Sequence, residues 1–385
     1  MPVINSISNI KKEMQEWRRY LHENPELGFE EYNTSKFIVK KLNEFGIKAF
    51  QNIGKTGVVG VLKGSKKGDG SIGLRADMDA LEMPEENNFE HKSKSKDKMH
   101  ACGHDGHTTM LLGAAKYLCE TRNFSGTAVL IFQPAEEGQG GAKVMLDEGL
   151  FQRYNVSEVY AIHNMPGIEK GKFAINESAM MAAADTFFIT IKGRGAHGAY
   201  PHEGVDPIII AAQVVQNLYS IISREIPSYK NVVMSVTQIN AGTASNIIPE
   251  TVDIIGTVRT LDVEDAKLVE KRIKEISQNI AKANNGSAKI TYEYGYPATI
   301  NDSKKAIISA DVASSIVGSE MVELNIPVNM ASEDFSYMLN KRPGAYVFLG
   351  QGDTPGLHHP EYDFDDDISP IGASWYASMV ESVLK

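Results

Sequence analysis

The periodicity of the chain changes near Met180 and changes back near residue 296, which divides it into two folding units. Before the first change, short apolar runs alternate with helical stretches. Gly57 to Leu62 (GVVGVL), Ile72 to Arg75, Thr127 to Phe132 (TAVLIF) and Val159 to Ile162 read as strands. The stripe Met110, Leu111, Ala114, Ala115 and Leu118 predicts a helix from about His107 to Glu120. Residues 5 to 46 predict two helices broken at Asn24-Pro25-Glu26, and another helix follows the Gly-rich loop EEGQGGAK as far as Glu148. This alternation implies the α/β class, with a mainly parallel central sheet covered on both faces. The middle segment has a different order: a strand Thr186 to Lys192, a helix Asp206 to Ser223, strands Val232 to Ile239 and Thr251 to Arg259, a helix Val263 to Asn284, and a strand Ala288 to Tyr294. That is the βαββαβ order of a ferredoxin-like unit, expected over 181–295 as an insertion into a domain formed by 1–180 and 296–385. The first pattern resumes with helices near 303–317 and 332–340, a strand Ala345 to Leu349 and a closing helix from Ile371.

With 385 residues the chain is long enough for a large core without disulfide or metal staples. Its 39 Lys+Arg against 49 Asp+Glu give a formal net charge of -10. An acidic balance excludes nucleic acid and an anionic membrane as main partners, since either requires a basic surface. Two cysteines form no disulfide framework, and neither an apolar leader nor 18 consecutive apolar residues occur, so the expectation is a cytoplasmic protein. Cys102 nevertheless lies in MHACGHDGH, among three of the ten histidines.

In open parallel sheets, ligands bind beyond the carboxyl ends of the strands. There this sequence places Asp77 and Asp79, then Glu136 and Glu137, then His163-Asn164, and finally Leu357-His358-His359-Pro360. Cys102, His104 and His107 add to them at a helix start. Each alone reads as a cap, a solvated loop or a small buried residue. Together, Asp, Glu, His and Cys from five places on one rim are the donor types of a divalent transition-metal site. His91, His100 and His202 have no comparable context.

The strings RRYLHENPELGFEE, RADMDAL, MHACGHDGHTTMLLGAA, HN, GRGAHGAYPHEGVDPI, ASNIIPE, ASEDFSYM and GLHHP, with QPAEEG followed by GGAKVML, resemble the M20 metallopeptidase family. More narrowly they resemble its amidohydrolase branch of N-acyl-amino-acid deacetylases, hippurate hydrolases and auxin-conjugate hydrolases. The resemblance runs in order over nearly the whole chain. It implies a zinc-peptidase-like catalytic domain with an inserted lid or dimerisation domain, hence a homodimer or higher homo-oligomer. It further implies hydrolysis of the amide bond of N-acyl amino acids, the alternatives being a carboxypeptidase or dipeptidase of the same fold, or a non-catalytic metal-binding protein.

The metal ligands implied by the resemblance are Cys102, His104, Glu137, His163 and His358, with His359 left open beside His358. Two divalent ions, Zn or Mn with Co and Ni also accepted, would lie roughly 3.5 to 4 Å apart around a shared water. Cys102 would bind as a thiolate. Glu136 would be general base, and Asp79 would orient a ligand histidine, with Asp77 the weaker candidate. His197 matches the histidine that reaches a site across the dimer or domain gap to stabilise the oxyanion, and Asn246 and Arg259 match positions that bind the substrate carboxylate.

Overall fold

The apolar runs become the strands of one large sheet, extended at their ends by backbone pairing. A computed structural model describes residues 3–385. Its first unit comprises Met1–Met180, Thr299–Pro327 and Asp334–Lys385. The sheet strands are β1 (Lys48–Ile53), β2 (Gly57–Lys63), β3 (Lys66–Asp77), β4 (Ser125–Gln133), β5 (Glu158–Pro166), β6 (Phe173–Ile175), β7 (Val322–Leu324) and β8 (Gly344–Gly352). Their order across the sheet is β1-β2-β4-β3-β5-β8-β6-β7. The central strands β4, β3, β5 and β8 are parallel, and β1 and β2 add an antiparallel edge. Parallel strands buried on both faces explain why the runs Thr127 to Phe132 and Ile72 to Arg75 are continuous rather than alternating.

The helices used below are α1 (Lys11–Glu23), α2 (Tyr32–Glu44), α3 (His104–Thr121), α4 (Gly141–Asp147), α5 (Ser303–Val317) and α6 (Ser369–Val383). The centre of the packing is α3, which lies against both α1 and α6. Its small residues permit this: a Cβ on Gly113 would stand 2.7 Å from Met14, and one on Gly372 of α6 would stand 2.0 Å from the Met110 sulfur.

Three expectations need correction. α3 begins at His104, three residues before the expected start at His107, because Gly103 supplies a left-handed turn at φ 86°. β5 continues through His163 to Pro166, since Asn164 and Met165 still pair with β8. The helix expected over 332–340 shrinks to Ser336–Leu339.

A buried polar network ties α1 to the start of α3. Arg18, 1% exposed, donates to Asp366 at 2.7 Å and Asp363 at 2.8 Å. His22 is 2.8 Å from Asp105 through Nδ1 and 3.2 Å from Glu85 through Nε2. Burial alone would lower the His22 pKa, but the hydrogen bonds to the Asp105 and Glu85 carboxylates raise it from 6.5 to about 9. Raised above its unfolded value, this imidazolium contributes stability that is fully present below pH 6.5 and lost as pH rises through about 9. Denaturant unfolding across that window is expected to show a decline on the order of 3 kcal/mol, which His22→Gln flattens.

The second unit comprises Met181–Ala298 and Val328–Glu333. Its four-stranded antiparallel sheet runs Val233–Ala241, Thr251–Thr260, Ala183–Lys192, Ser287–Tyr294. Strand Thr251–Thr260 alternates buried with more exposed residues, so one sheet face is covered, and helices Pro207–Ser220 and Val263–Ala283 pack on the sheet. Both helices start on an aspartate: Asp206 accepts from the Ile208 amide and Asp262 from the Glu264 amide, each at 2.9 Å. Among the described residues, no helix is long and apolar enough to cross a membrane.

Candidate active site

Gly103 sets the geometry of the Cys102 to His107 segment. A Cβ there would lie 2.2 Å from Asn164 Oδ1 and 2.5 Å from the Tyr362 hydroxyl, so only glycine permits the turn. His104 and His107 then project from one face of the first turn of α3, ring centroids 5.5 Å apart. The end of β3 meets them with two carboxylates spaced by two residues.

The two imidazoles are used differently. His104 Nδ1 donates to the Asp79 carbonyl at 3.0 Å and to its carboxylate at 3.1 Å, while His104 Nε2 is buried and has no hydrogen-bond partner. His107 has both ring nitrogens engaged, Nδ1 at 2.6 Å from Asp77 and Nε2 at 2.7 Å from Asn164 Oδ1. A cation therefore finds a lone pair on His104 and none on His107. Glu137 is arranged in the same way: its amide donates to Asp79 Oδ2 at 2.9 Å, and its buried Oε1 has no hydrogen-bond partner. Asp79 thus holds both the histidine and the loop of the glutamate.

His163 donates Nδ1–H to the Asn164 carbonyl at 2.6 Å, which leaves Nε2 facing Cys102 Sγ at 3.5 Å. His358 Nε2 lies 3.3 Å from Glu137 Oε1. The neighbouring His359 instead accepts from the Glu361 amide through Nδ1 at 3.1 Å, so of this pair His358 faces the cluster. His358 stands there in a left-handed conformation, φ 64°, its backbone N–H donating a hydrogen bond to the Ala101 carbonyl at 2.8 Å.

These donors fall into two groups that share one atom. Cys102, His104 and His163 form one, and Cys102, Glu137 and His358 the other, ligand atoms in each lying within 4.8 Å of one another. The orphaned buried atoms and the mixed thiol, imidazole and carboxylate set fit divalent transition metals. The electrostatics fit as well. Burial pushes the Cys102 thiol well up, and the Glu137, Glu136 and Asp77 carboxylates push the same way, so an ionised thiol here needs a nearby cation. Burial alone would lower the His104 pKa, yet Asp77, Asp79 and Glu137 raise it to about 10, so these carboxylates favour a positive charge here, and a bound cation would take the place of the Nε2 proton.

Asp77 sits in a buried network of charged and polar side chains. Arg75, 1% exposed inside β3, donates to Asp77 at 2.7 Å, to Gln133 at 2.8 Å and to Asp334 at 3.1 Å. Asp334 also accepts from Gln133 Nε2 at 2.7 Å and from the Ala142 amide in α4 at 2.9 Å. Burial opposes ionisation of Asp77, but its interactions with His104, Arg75 and His107 hold its carboxyl well below the ordinary range. This network, with Asn164 donating to Gln351 at 2.8 Å and Tyr362 at 2.7 Å, was missed from sequence. Its one visible sign is a lone charged residue, Arg75, in an apolar strand.

Glu136 is 7% exposed beside Glu137, and its ligand-type oxygen groups with His104 and Glu137. In the second unit, His197 pairs with Ile247 across two short strands, and the Asn246 carbonyl accepts from the Gly198 amide at 2.8 Å, so these two sequence-predicted residues are neighbours. Arg259 lies elsewhere in that unit, on strand Thr251–Thr260 opposite Val233 and Ala184, donating to the Thr257 hydroxyl and at 3.2 Å to the Val258 carbonyl.

A parallel sheet whose strand ends converge on a cluster of thiol, imidazole and carboxylate donors, with a second acid beside a ligand-type glutamate, defines a metal-dependent hydrolase. The sequence model of peptidase family M20/M25/M40 matches residues 73–382. The chain belongs to this family and is an enzyme of its amidohydrolase branch. It is 44% identical over 385 residues, all of both chains, to a hippurate hydrolase of Campylobacter jejuni. It is 39% identical to thermostable carboxypeptidase 2 of Saccharolobus solfataricus, over 98% of each chain. Among solved structures, a dinuclear metal-binding M20 peptidase of Bacillus subtilis matches with a TM-score of 0.85 and 31% identity, covering 98% of this chain and 99% of the other.

Proposed function

We propose that the enzyme hydrolyses the amide bond of N-acyl amino acids, releasing a carboxylate and a free amino acid. The observation that carries this reading is the pair of donor groups sharing Cys102 with Glu136 beside them, in a chain similar throughout to a hippurate hydrolase. Hippurate is an N-acyl amino acid, and its hydrolysis is an amide cleavage. Cys102, His104, Glu137, His163 and His358 would hold two divalent ions, Zn or Mn in the first place. When bound, such ions polarise a carbonyl and make water acidic enough to attack near neutral pH.

The chain's own groups do the rest. Glu136 takes the proton of the attacking water and returns it to the leaving amine nitrogen. Asp79 fixes the His104 tautomer so that Nε2 keeps its lone pair. His197 donates to the oxyanion and Asn246 beside it receives the α-carboxylate; Arg259, on the stretch of strand Thr251–Thr260 remote from both, would bring its planar fork to that carboxylate only from another copy of the chain. His197→Ala is expected to lower kcat by about 10²- to 10³-fold with metal content unchanged. Metal analysis alongside steady-state kinetics checks this, and unchanged turnover and substrate affinity would remove His197 from the site.

The carboxypeptidase reading is favoured by the similarity to the Saccharolobus enzyme. Metal-loaded protein offered N-benzoylglycine, N-acetyl amino acids and dipeptides separately distinguishes the two. Faster release from the acyl substrates supports the proposal, and faster dipeptide cleavage supports the alternative. Assembly of copies through the second unit is part of the same reading. Ile209, 55% exposed, lies on its first helix, and Ile239, also 55% exposed, lies on an edge strand with unpaired backbone. A reducing cytoplasmic setting fits an enzyme that depends on one buried thiol.

A further inference from the structure

The stretch Asn24 to Glu31, part of the string HENPELGFEE, has no role in the chemistry above, yet it reaches beneath both acidic loops. The Glu26 carbonyl accepts from the Ala80 amide at 2.8 Å, and Leu27 bridges Ala80, next to Asp79. Five residues on, Glu31 is fully buried and its Oε1 accepts from the Ala135 amide at 2.8 Å. Its other oxygen accepts from the Thr56 hydroxyl at 2.5 Å, and Thr56 is itself held by the Ser35 hydroxyl.

Ala135 is the residue before Glu136, and it is strained. It stands at φ 54°, a left-handed conformation that residues with a Cβ rarely adopt. Three contacts hold it there. Glu31 takes its N–H, the Gly141 amide donates to its carbonyl at 2.9 Å, and Gly28 closes over its side chain, where a Cβ on Gly28 would be 3.0 Å from Ala135 Cβ. Strain of this kind persists only where the surroundings over-determine it, and it clusters where side chains must be aimed.

We propose that Glu31 is a positioning residue for Glu136: by binding the Ala135 amide it locks the left-handed turn that aims the base. The proposal rests on the reading of Glu136 as general base. Without this acceptor the buried Ala135 N–H has no partner, the turn relaxes toward negative φ, and Glu136 swings while the ligand cluster, fixed through Asp79, stays in place.

The test is a double-mutant cycle on the metal-loaded enzyme with N-benzoylglycine as probe. Glu31→Ala is expected to lower kcat about 10- to 100-fold, with KM and metal content each within about threefold, because a misplaced base costs rate rather than binding. In the Glu136→Gln background the same change is expected to alter the residual rate less than about twofold. Glu31→Gln, which keeps an acceptor oxygen for Ala135 and a donor for Thr56, is expected to restore most of the lost rate. Should Glu31→Ala fail to fold, Gly28→Ala carries the same test from the opposite side, since its Cβ pushes directly on Ala135. Equal losses in both backgrounds, loss of metal, or an unchanged kcat would overturn the proposal. Full turnover by Glu136→Gln alone would instead show that the base assignment fails, and this proposal with it.

Discussion

Glu136→Gln is expected to keep its metal and lose turnover by about 10²- to 10⁴-fold, the range for a positioned general base. The substitution is isosteric, so the contacts that shape the loop survive it: the Glu137 amide still reaches Asp79, and the Glu136 carbonyl still accepts from the Gly138 amide at 2.7 Å. What disappears is the ability to accept a proton from water. Metal content per subunit and kcat, measured on one preparation, separate this role from a ligand role. Loss of metal would make Glu136 a ligand, and retained turnover with metal bound would leave the reaction without its base.

Cys102→Ala is expected to remove both ions, and with them all measurable hydrolysis. Cys102 is the one residue in both donor groups, so its loss leaves each with two of three donors, whereas His163→Ala and His358→Ala each touch one. Outer partners of metal ligands are worth 10- to 100-fold in affinity, and a ligand common to both sites is expected to cost at least roughly that for each ion. Titration of metal-free variants followed by metal analysis checks the ranking. If Cys102→Ala binds two ions as tightly as the unmodified chain, the shared thiol is not part of the site.

Five strands of the large sheet, β2, β3, β4, β5 and β8, were legible from their buried apolar runs, as in Thr127 to Phe132, whereas the half-exposed edge strands β1 and β7 and the three-residue β6 left no such run. The donors were legible because most follow those runs. His163 shows the limit: apolar sequence ends at Ile162, but backbone pairing with β8 carries the strand to Pro166, so the histidine sits within it. The start of α3 shows another, since a left-handed glycine begins a helix that hydrophobic periodicity detects only a turn later. Charges that serve other charges left almost no trace. Asp334 and Arg75 lie 259 positions apart and meet only in the fold, and Glu31 acts on a backbone amide 104 residues away. The His358 and His359 pair was undecidable from sequence, because it is settled by one positive φ and one bond to Ala101.

Glycine release from N-benzoylglycine during metal titration shows whether the proposed amide cleavage depends on two ions held around Cys102. Metal-free protein is expected to release none, and the rate is expected to rise as divalent ion is added, reaching its plateau at two equivalents per subunit. Release from metal-free protein, or none from any acyl substrate with two ions bound, would contradict the proposed metal-dependent cleavage.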